Sequence, residues 1–185
     1  MKKWLDAARA AGVKEPTAMT LATATRDGKP SARIVLLKAI DQRGFSFFTN
    51  YLSRKGRELE ENPHAALVLY WTALDRQVRI TGRVSKLSAA ESDEYFDSRA
   101  VGSRFSAAVS PQSSVIPSRK SLERKLAKLK AEYPDGAPPR PKHWGGYLVS
   151  PAEIEFWQQG EHRLHDRVRY RRVRNGPWIV DQLAP

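Results

Sequence analysis

The stretch Ile154-Glu155-Phe156-Trp157-Gln158-Gln159-Gly160-Glu161-His162-Arg163-Leu164-His165-Asp166-Arg167 crowds an aromatic pair, two histidines and two arginines into fourteen residues. In an extended chain Arg163, His165 and Arg167 alternate with Leu164 and Asp166, so the three donors share one face. Cationic or switchable groups lined up this way repel one another unless an anion lies among them. Two readings stand at this point. The row grips an anionic ligand, or Glu155, Glu161 and Asp166 satisfy it within the hairpin, since structural ion networks look the same on spacing alone. His162 and His165 beside Glu161 and Asp166 do not make a metal site. Residues three apart share a face on a helix, and this spacing falls in strand or loop. No metal is expected.

Other polar clusters repeat the theme. Arg33 and Lys38 flank an apolar strand, Arg99 and Ser103 follow a helix carrying Tyr95, and Gln112-Ser113-Ser114 offers small donors. Ser53-Arg54-Lys55 opens a helix, where free N–H groups and the helix dipole favour an anion. The densest basic cluster is Arg163, Arg167, Arg169, Arg171, Arg172 and Arg174, and arginine suits bidentate grip on oxyanions. Lys and Arg number 32 against 20 Asp and Glu, a formal charge of +12. Such an excess fits an anionic partner, either nucleic acid or a small phosphorylated ligand, or else a solvated basic surface. A nucleic-acid binder concentrates charge and exposed aromatics on one face. Here the basic pairs sit at element ends, which better suits several walls of one pocket, so no nucleic-acid partner is expected. A basic nucleic-acid-binding barrel without catalysis remains the alternative of a different class.

The elements that must position these residues read as one domain of 185 residues, long enough to bury a sizeable core. Lys3–Ala11 is a helix closed by Glu15-Pro16. Met19–Thr25, Ala32–Ile40 and Phe45–Thr49 are strands joined by short turns, one of them signalled by Asp27-Gly28. Ser53–Glu61 is a helix capped by Ser53 and stopped at Asn62-Pro63. His64–Thr72 and Asp75–Leu87 are strands, and Ser88-Ala89-Ala90-Glu91 is a capping box for a helix to about Ser98. Arg99–Val109 has no clean period and is read as helical. Ser118–Tyr133 places Leu122, Leu126, Leu129 and Tyr133 on one stripe. After the proline-rich loop Pro134–Pro141, Trp144–Val149 and Glu153–Trp157 are strands, and Arg167–Val173 and Trp178–Leu183 form a closing hairpin on Asn175-Gly176. About eight strands, mostly sequential, and four helices predict a mainly β, α+β fold: an antiparallel sheet closed into a barrel with helices packed outside. There is no cysteine, hence no disulfide or thiol chemistry. No apolar run reaches the ~20 residues that cross a bilayer, and no secretory leader precedes the first helix. No membrane partner is expected, and the expected compartment is cytoplasmic. Dinucleotide, P-loop and nucleophile-elbow glycine motifs are missing.

The segment Ile154–Arg167 resembles the signature of pyridoxine/pyridoxamine 5′-phosphate oxidases: a hydrophobic residue, Glu, an aromatic, Trp, Gln, four variable positions, then Arg-hydrophobic-His-acid-Arg. Every fixed position is met. The resemblance extends in order through Arg33-Ile34-Val35-Leu36-Leu37-Lys38, Phe47-Phe48-Thr49-Asn50, Ser53-Arg54-Lys55, Arg76-Gln77-Val78, Tyr95-Phe96-Asp97-Ser98-Arg99, Gln112-Ser113-Ser114 and Asp181-Gln182-Leu183-Ala184-Pro185. It implies one FMN-binding split-barrel domain over residues 1–185, with residues 1–15 as an N-terminal arm shorter than in many members. It also implies a homodimer with FMN at the subunit interface. By that resemblance Arg33, Lys55, Gln112 and Ser113 hold FMN with help from Arg54, Phe48 and Thr49. The strand Ile34, Val35, Leu36, Leu37 and Lys38 lies along it, and Gln77, Trp157 and Arg167 line the flavin. Lys38, Tyr95, Arg99 and Ser103 hold the substrate phosphate, while Arg163, Leu164 and His165 sit over the pyridine ring, Arg163 and His165 as the catalytic pair. Phe48 stands where some members carry Tyr. The implied reaction oxidises pyridoxamine or pyridoxine 5′-phosphate to pyridoxal 5′-phosphate, with O2 reduced to hydrogen peroxide. A phenazine-pathway flavin oxidase of the same fold and a flavin or vitamer carrier without turnover are the neighbouring alternatives.

Overall fold

A computed structural model describes residues 1–173 and 176–185. Arg174 and Asn175, and with them the predicted Asn175-Gly176 turn, lie outside the described residues. The elements are α1 (Lys2–Ala10), β1 (Ala18–Ala24), β2 (Pro30–Leu36), β3 (Ala39–Ile40), β4 (Phe45–Asn50), α2 (Arg54–Glu61), β5 (His64–Trp71), β6 (Arg76–Lys86), α3 (Ala89–Asp97), α4 (Val101–Val109), α5 (Arg119–Glu132), β7 (Trp144–Gln158), β8 (Asp166–Arg172) and β9 (Trp178–Gln182). The strands run β2-β1-β5-β6-β7-β4-β3, every pair antiparallel, and the β8–β9 hairpin extends from β7.

The burial pattern follows the period-2 rule of a sheet with one face on the core. In β1 Met19, Leu21 and Thr23 are buried, and in β6 Val78, Ile80, Gly82 and Val84 are. These side chains meet Leu67, Leu69, Phe47, Tyr147 and Val149 inside the curled sheet, and Leu5 and Ala8 of α1 join the same core. Trp71 closes that end by donating its indole N–H to the Pro16 carbonyl at 2.9 Å.

Four expectations change. The stretch Ala32–Ile40 is two strands, because the chain leaves β2 at Leu37, whose side chain turns into the core. The two strands expected over residues 144–157 are one 15-residue strand: β6 follows it past Pro151, with a register shift between Thr81 and Gly82. An irregularity of this kind absorbs a residue without ending the ladder. The residues 163–167 are not one extended row. Glu161–Arg163 form a single helical turn with His162 and Arg163 at positive φ (51° and 65°), and β8 begins only at Asp166. Five α-helices are present among the described residues, one more than the count of about four, and the segment read as helical over Arg99–Val109 is one of them, from Val101.

Candidate active site

Serine and threonine caps position the first wall. The Ser53 hydroxyl accepts from the Gly56 N–H at 3.3 Å and starts α2, so Lys55, Gly56, Glu58 and Leu59 form its buried face. Gly56 is required there, since a β-carbon would lie 2.0 Å from the Tyr51 carbonyl oxygen. Lys55 is thereby driven inward to 8% exposure, its Nζ within 3.2–3.4 Å of Gln112 Oε1, Thr49 Oγ1 and Ser53 Oγ. Among the described residues no carboxylate pairs with it. Burial, and then the charge of Arg33, push this ammonium below the ordinary lysine range. A buried cation without a counter-charge is costly, and it stands ready for an anion.

Lys55 faces a cavity of about 940 Å³. Arg33, Ile34, Val35, Leu36 and Lys38 line it from β2 and its exit, and Phe48 and Thr49 from β4. Tyr95, Arg99 and Ser103 come from α3, α4 and the link between them, Gln112 and Ser113 from the following loop. Thirteen of the residues carried by the resemblance therefore meet in one place. The Tyr95 ring stacks on Phe48 at 3.9 Å, and the Lys38 Nζ lies 5.9 Å from the centre of the Tyr95 ring. The Arg99 guanidinium sits 4.6 Å from the Trp144 ring centre. Its Nη1 is buried without a hydrogen-bond partner, and burial holds its pKa below the usual arginine value. The donor set, two partly desolvated cations with hydroxyl and amide groups between aromatic faces, fits a ligand that is both phosphorylated and planar.

The remaining predicted residues gather elsewhere. Gln77, Trp157 and Arg167 are direct cross-strand partners on β6, β7 and β8, one row across three strands. Arg167 there donates Nε to Glu155 Oε1 at 2.8 Å, and Arg79 takes the other carboxylate oxygen. Burial works against the Glu155 charge, but the hydrogen bonds from Arg167 and Arg79 outweigh it and hold this carboxyl below the ordinary range. For Arg167, then, the acidic-partner reading of the hairpin holds. It does not hold for Arg163, which is exposed and in no ion pair among the described residues. The His165 ring lies 4.7 Å from Trp157 and accepts the Gly160 N–H on Nδ1 at 3.2 Å, which leaves Nε2 to carry the proton of the neutral ring. Leu164 is exposed beside it. None of these residues lines the cavity. Leu37 is in the core, and Arg54 lies at the surface, paired to Glu58.

Two participants escaped the sequence reading. Trp144 lines the cavity and gave no signal, while Glu58 lies behind its wall, bonded to Arg33 and Arg54, and its place four residues after Arg54 on a helix was a signal.

Residues 5–133 match the family described as pyridoxamine 5′-phosphate oxidase, and residues 144–185 match the pyridoxine 5′-phosphate oxidase C-terminal dimerisation region. The chain is 59% identical to the pyridoxine/pyridoxamine 5′-phosphate oxidase of Nostoc punctiforme and 58% identical to that of Salinibacter ruber. In both cases the match covers 100% of this chain and 86% of the relative. Among solved structures, PhzG from Burkholderia lata 383 in complex with tetrahydrophenazine-1-carboxylic acid superposes with a TM-score of 0.94 at 41% identity, over 100% of this chain and 90% of that one.

Proposed function

Because the chain belongs to the pyridoxamine 5′-phosphate oxidase family, we propose that it is an FMN-dependent oxidase that converts pyridoxamine or pyridoxine 5′-phosphate to pyridoxal 5′-phosphate. The observation that carries this is the pair of desolvated cations in one cavity, Lys55 with no carboxylate on its ammonium and Arg99 with an unpaired Nη1. Cofactor and vitamer each bring a phosphate of about −1.5 to −2 charge.

In this reading Lys55, Arg33, Gln112 and Ser113 bind the cofactor phosphate, and Lys38, Tyr95, Arg99 and Ser103 bind the vitamer phosphate. FMN, when bound, would supply two-electron redox chemistry between the carbon that bears the amine or alcohol and O2, with water replacing the nitrogen of the amine substrate, released as ammonia, and hydrogen peroxide as the reduced product. The protein contributes placement and charge. Arg163 orients the pyridine ring and stabilises negative charge on it, and His165 presents Nε2–H toward the same ring. Trp157, its ring tilted against His165, shields that side from water.

The site is complete only in a homodimer. The Gln77–Trp157–Arg167 row and Arg163 lie outside the cavity of their own chain, and residues 144–185 match a dimerisation region. A second copy would bring this row over the first copy's cavity. Exposed Ile34, Tyr170, Ile179 and Val180 are apolar surface for that contact.

The test is anaerobic mixing of the FMN-loaded protein with pyridoxine 5′-phosphate, followed by flavin absorbance. Bleaching that recovers in air establishes both halves of the reaction. A flavin that stays oxidised with this substrate and with pyridoxamine 5′-phosphate, but is reduced by a dihydrophenazine carboxylate, moves the assignment to the chemistry of the 41%-identical relative. A flavin that no substrate reduces leaves a carrier.

A further inference from the structure

Behind the cavity wall lies a carboxylate that no part of the proposed reaction uses. Glu58 is buried on α2, its side chain 4% exposed. Its Oε1 accepts from Arg54 Nε at 2.8 Å. Its Oε2 accepts from Thr23 Oγ1 at 2.5 Å, Ser31 Oγ at 2.6 Å and Arg33 Nη2 at 3.2 Å. Arg33 also donates to the hydroxyls of Thr23 and Ser31, so its guanidinium is fixed from three sides. One carboxylate thus holds two guanidinium groups from two different elements, β2 and α2.

We infer that Glu58 is a positioning residue for phosphate recognition, holding Arg33, with Arg54 bound to its other oxygen, in the orientation in which Arg33 meets the cofactor's phosphate. The inference rests on the proposed FMN site. A long arginine side chain ordered before the ligand arrives loses less entropy on binding. The arrangement also has a definite sign. A negative charge near a bound phosphate opposes binding by Coulomb repulsion. If Glu58 served only to balance charge, its neutralisation would tighten FMN. If it positions Arg33, neutralisation loosens FMN despite the lost repulsion. Glutamine cannot replace it, since an amide has one acceptor oxygen and would turn N–H donors toward either Arg54 or the Thr23–Ser31–Arg33 group.

The experiment measures Kd for FMN and for riboflavin, which lacks the phosphate, by flavin fluorescence on the flavin-stripped full-length protein. Wild type and Glu58→Gln are compared. The expected result is that the wild-type preference for FMN over riboflavin shrinks by about 10- to 100-fold in the variant, the scale set by outer partners of a binding group, while riboflavin affinity stays within about twofold. An unchanged or increased preference overturns the inference, and so does an equal loss of both ligands, which marks a merely structural residue. If the wild type itself shows no preference for FMN, the cofactor site fails, and this inference with it. Should Glu58→Gln not fold, Ser31→Ala removes one donor to Oε2 and one acceptor for Arg33 at a half-buried position. It is expected to cut the preference about threefold or more without changing riboflavin binding, and no change in it overturns the inference.

Discussion

At the scale of single residues, what separates ligand-binding groups from structural ones is whether a charge has a partner. Arg167, Arg169 and Arg171 are paired to Glu155, Glu153 and Asp181. Arg163 is free of ion pairs among the described residues and is held at φ 65°, a region that non-glycine residues seldom occupy. Strained, unpaired and exposed, it is available to a ligand. Arg163→Ala is expected to lower kcat/KM for the vitamer phosphate by about 100-fold and to leave FMN affinity unchanged. Steady-state kinetics and flavin titration check the two halves separately. Unchanged turnover and affinity for the vitamer would remove Arg163 from the reaction. The residue types at this site were legible because Arg, Lys, Gln and Ser recur at element ends. Their grouping was not. Alternation along a strand placed Arg163, His165 and Arg167 on one face, whereas the backbone turns at Glu161–Arg163, a conformation that no side-chain spacing records.

At the scale of elements, capping and alternation carried most of the fold. Ser53, Ser88 and Ser118 start α2, α3 and α5 as their hydroxyls required, and the alternation of β6 gave its buried face. Boundaries that tertiary packing decides were not legible. Leu37 leaves its strand because the core accepts it, and β7 passes Pro151 because β6 tolerates the irregularity there. Two predictions belong here. A β-carbon on Gly82 would stand 2.1 Å from the Ser150 carbonyl oxygen. Gly82→Ala therefore lowers stability by about 1–3 kcal/mol, read from the urea midpoint. The second concerns α2. Burial opposes the charge on Glu58, yet hydrogen bonds from Ser31, Thr23, Arg54 and Arg33 outweigh it and bring the carboxyl down from 4.5 to about 2. A carboxyl held below its unfolded value stabilises the fold above that value. Its contribution is thus complete above about pH 4.5 and is lost as the pH falls toward about 2. Urea midpoints between pH 6 and pH 3 are expected to fall more steeply for wild type than for Glu58→Gln.

At the scale of the whole molecule, the two groups of site residues sit on different parts of the sheet. The cavity group lies around β2, β4, α3 and α4, and the Gln77–Trp157–Arg167 row sits where β7 leaves β4 for β8. A shared site makes a prediction that an intrachain site does not. Chains carrying Lys55→Met and chains carrying Arg163→Ala are each impaired. If mixed and allowed to exchange subunits, half of the dimers are mixed, and each has one intact site. About a quarter of wild-type activity is expected to return. No recovery in a mixture shown by mass spectrometry to contain mixed dimers would place each site within one chain. β7 carries the geometry behind this. Its inward residues on the β4 side are odd-numbered, Tyr147 and Val149, and on the β8 side they are even-numbered, Ile154 and Phe156. The parity changes at Ala152, which has no partner between Pro151 and Glu153 in the ladder with β6. Ala152 thus acts as a phase shift in the strand. Deleting this one small, exposed residue would remove no contact from either group. It would leave Ile154 and Phe156 on the core side and Glu155 and Trp157 on the other, because β6 alternates without a break. But it would take out the local bend and added twist that an extra residue gives a strand, so the direction in which β7 carries the second half-site is kept by a residue that takes no part in it.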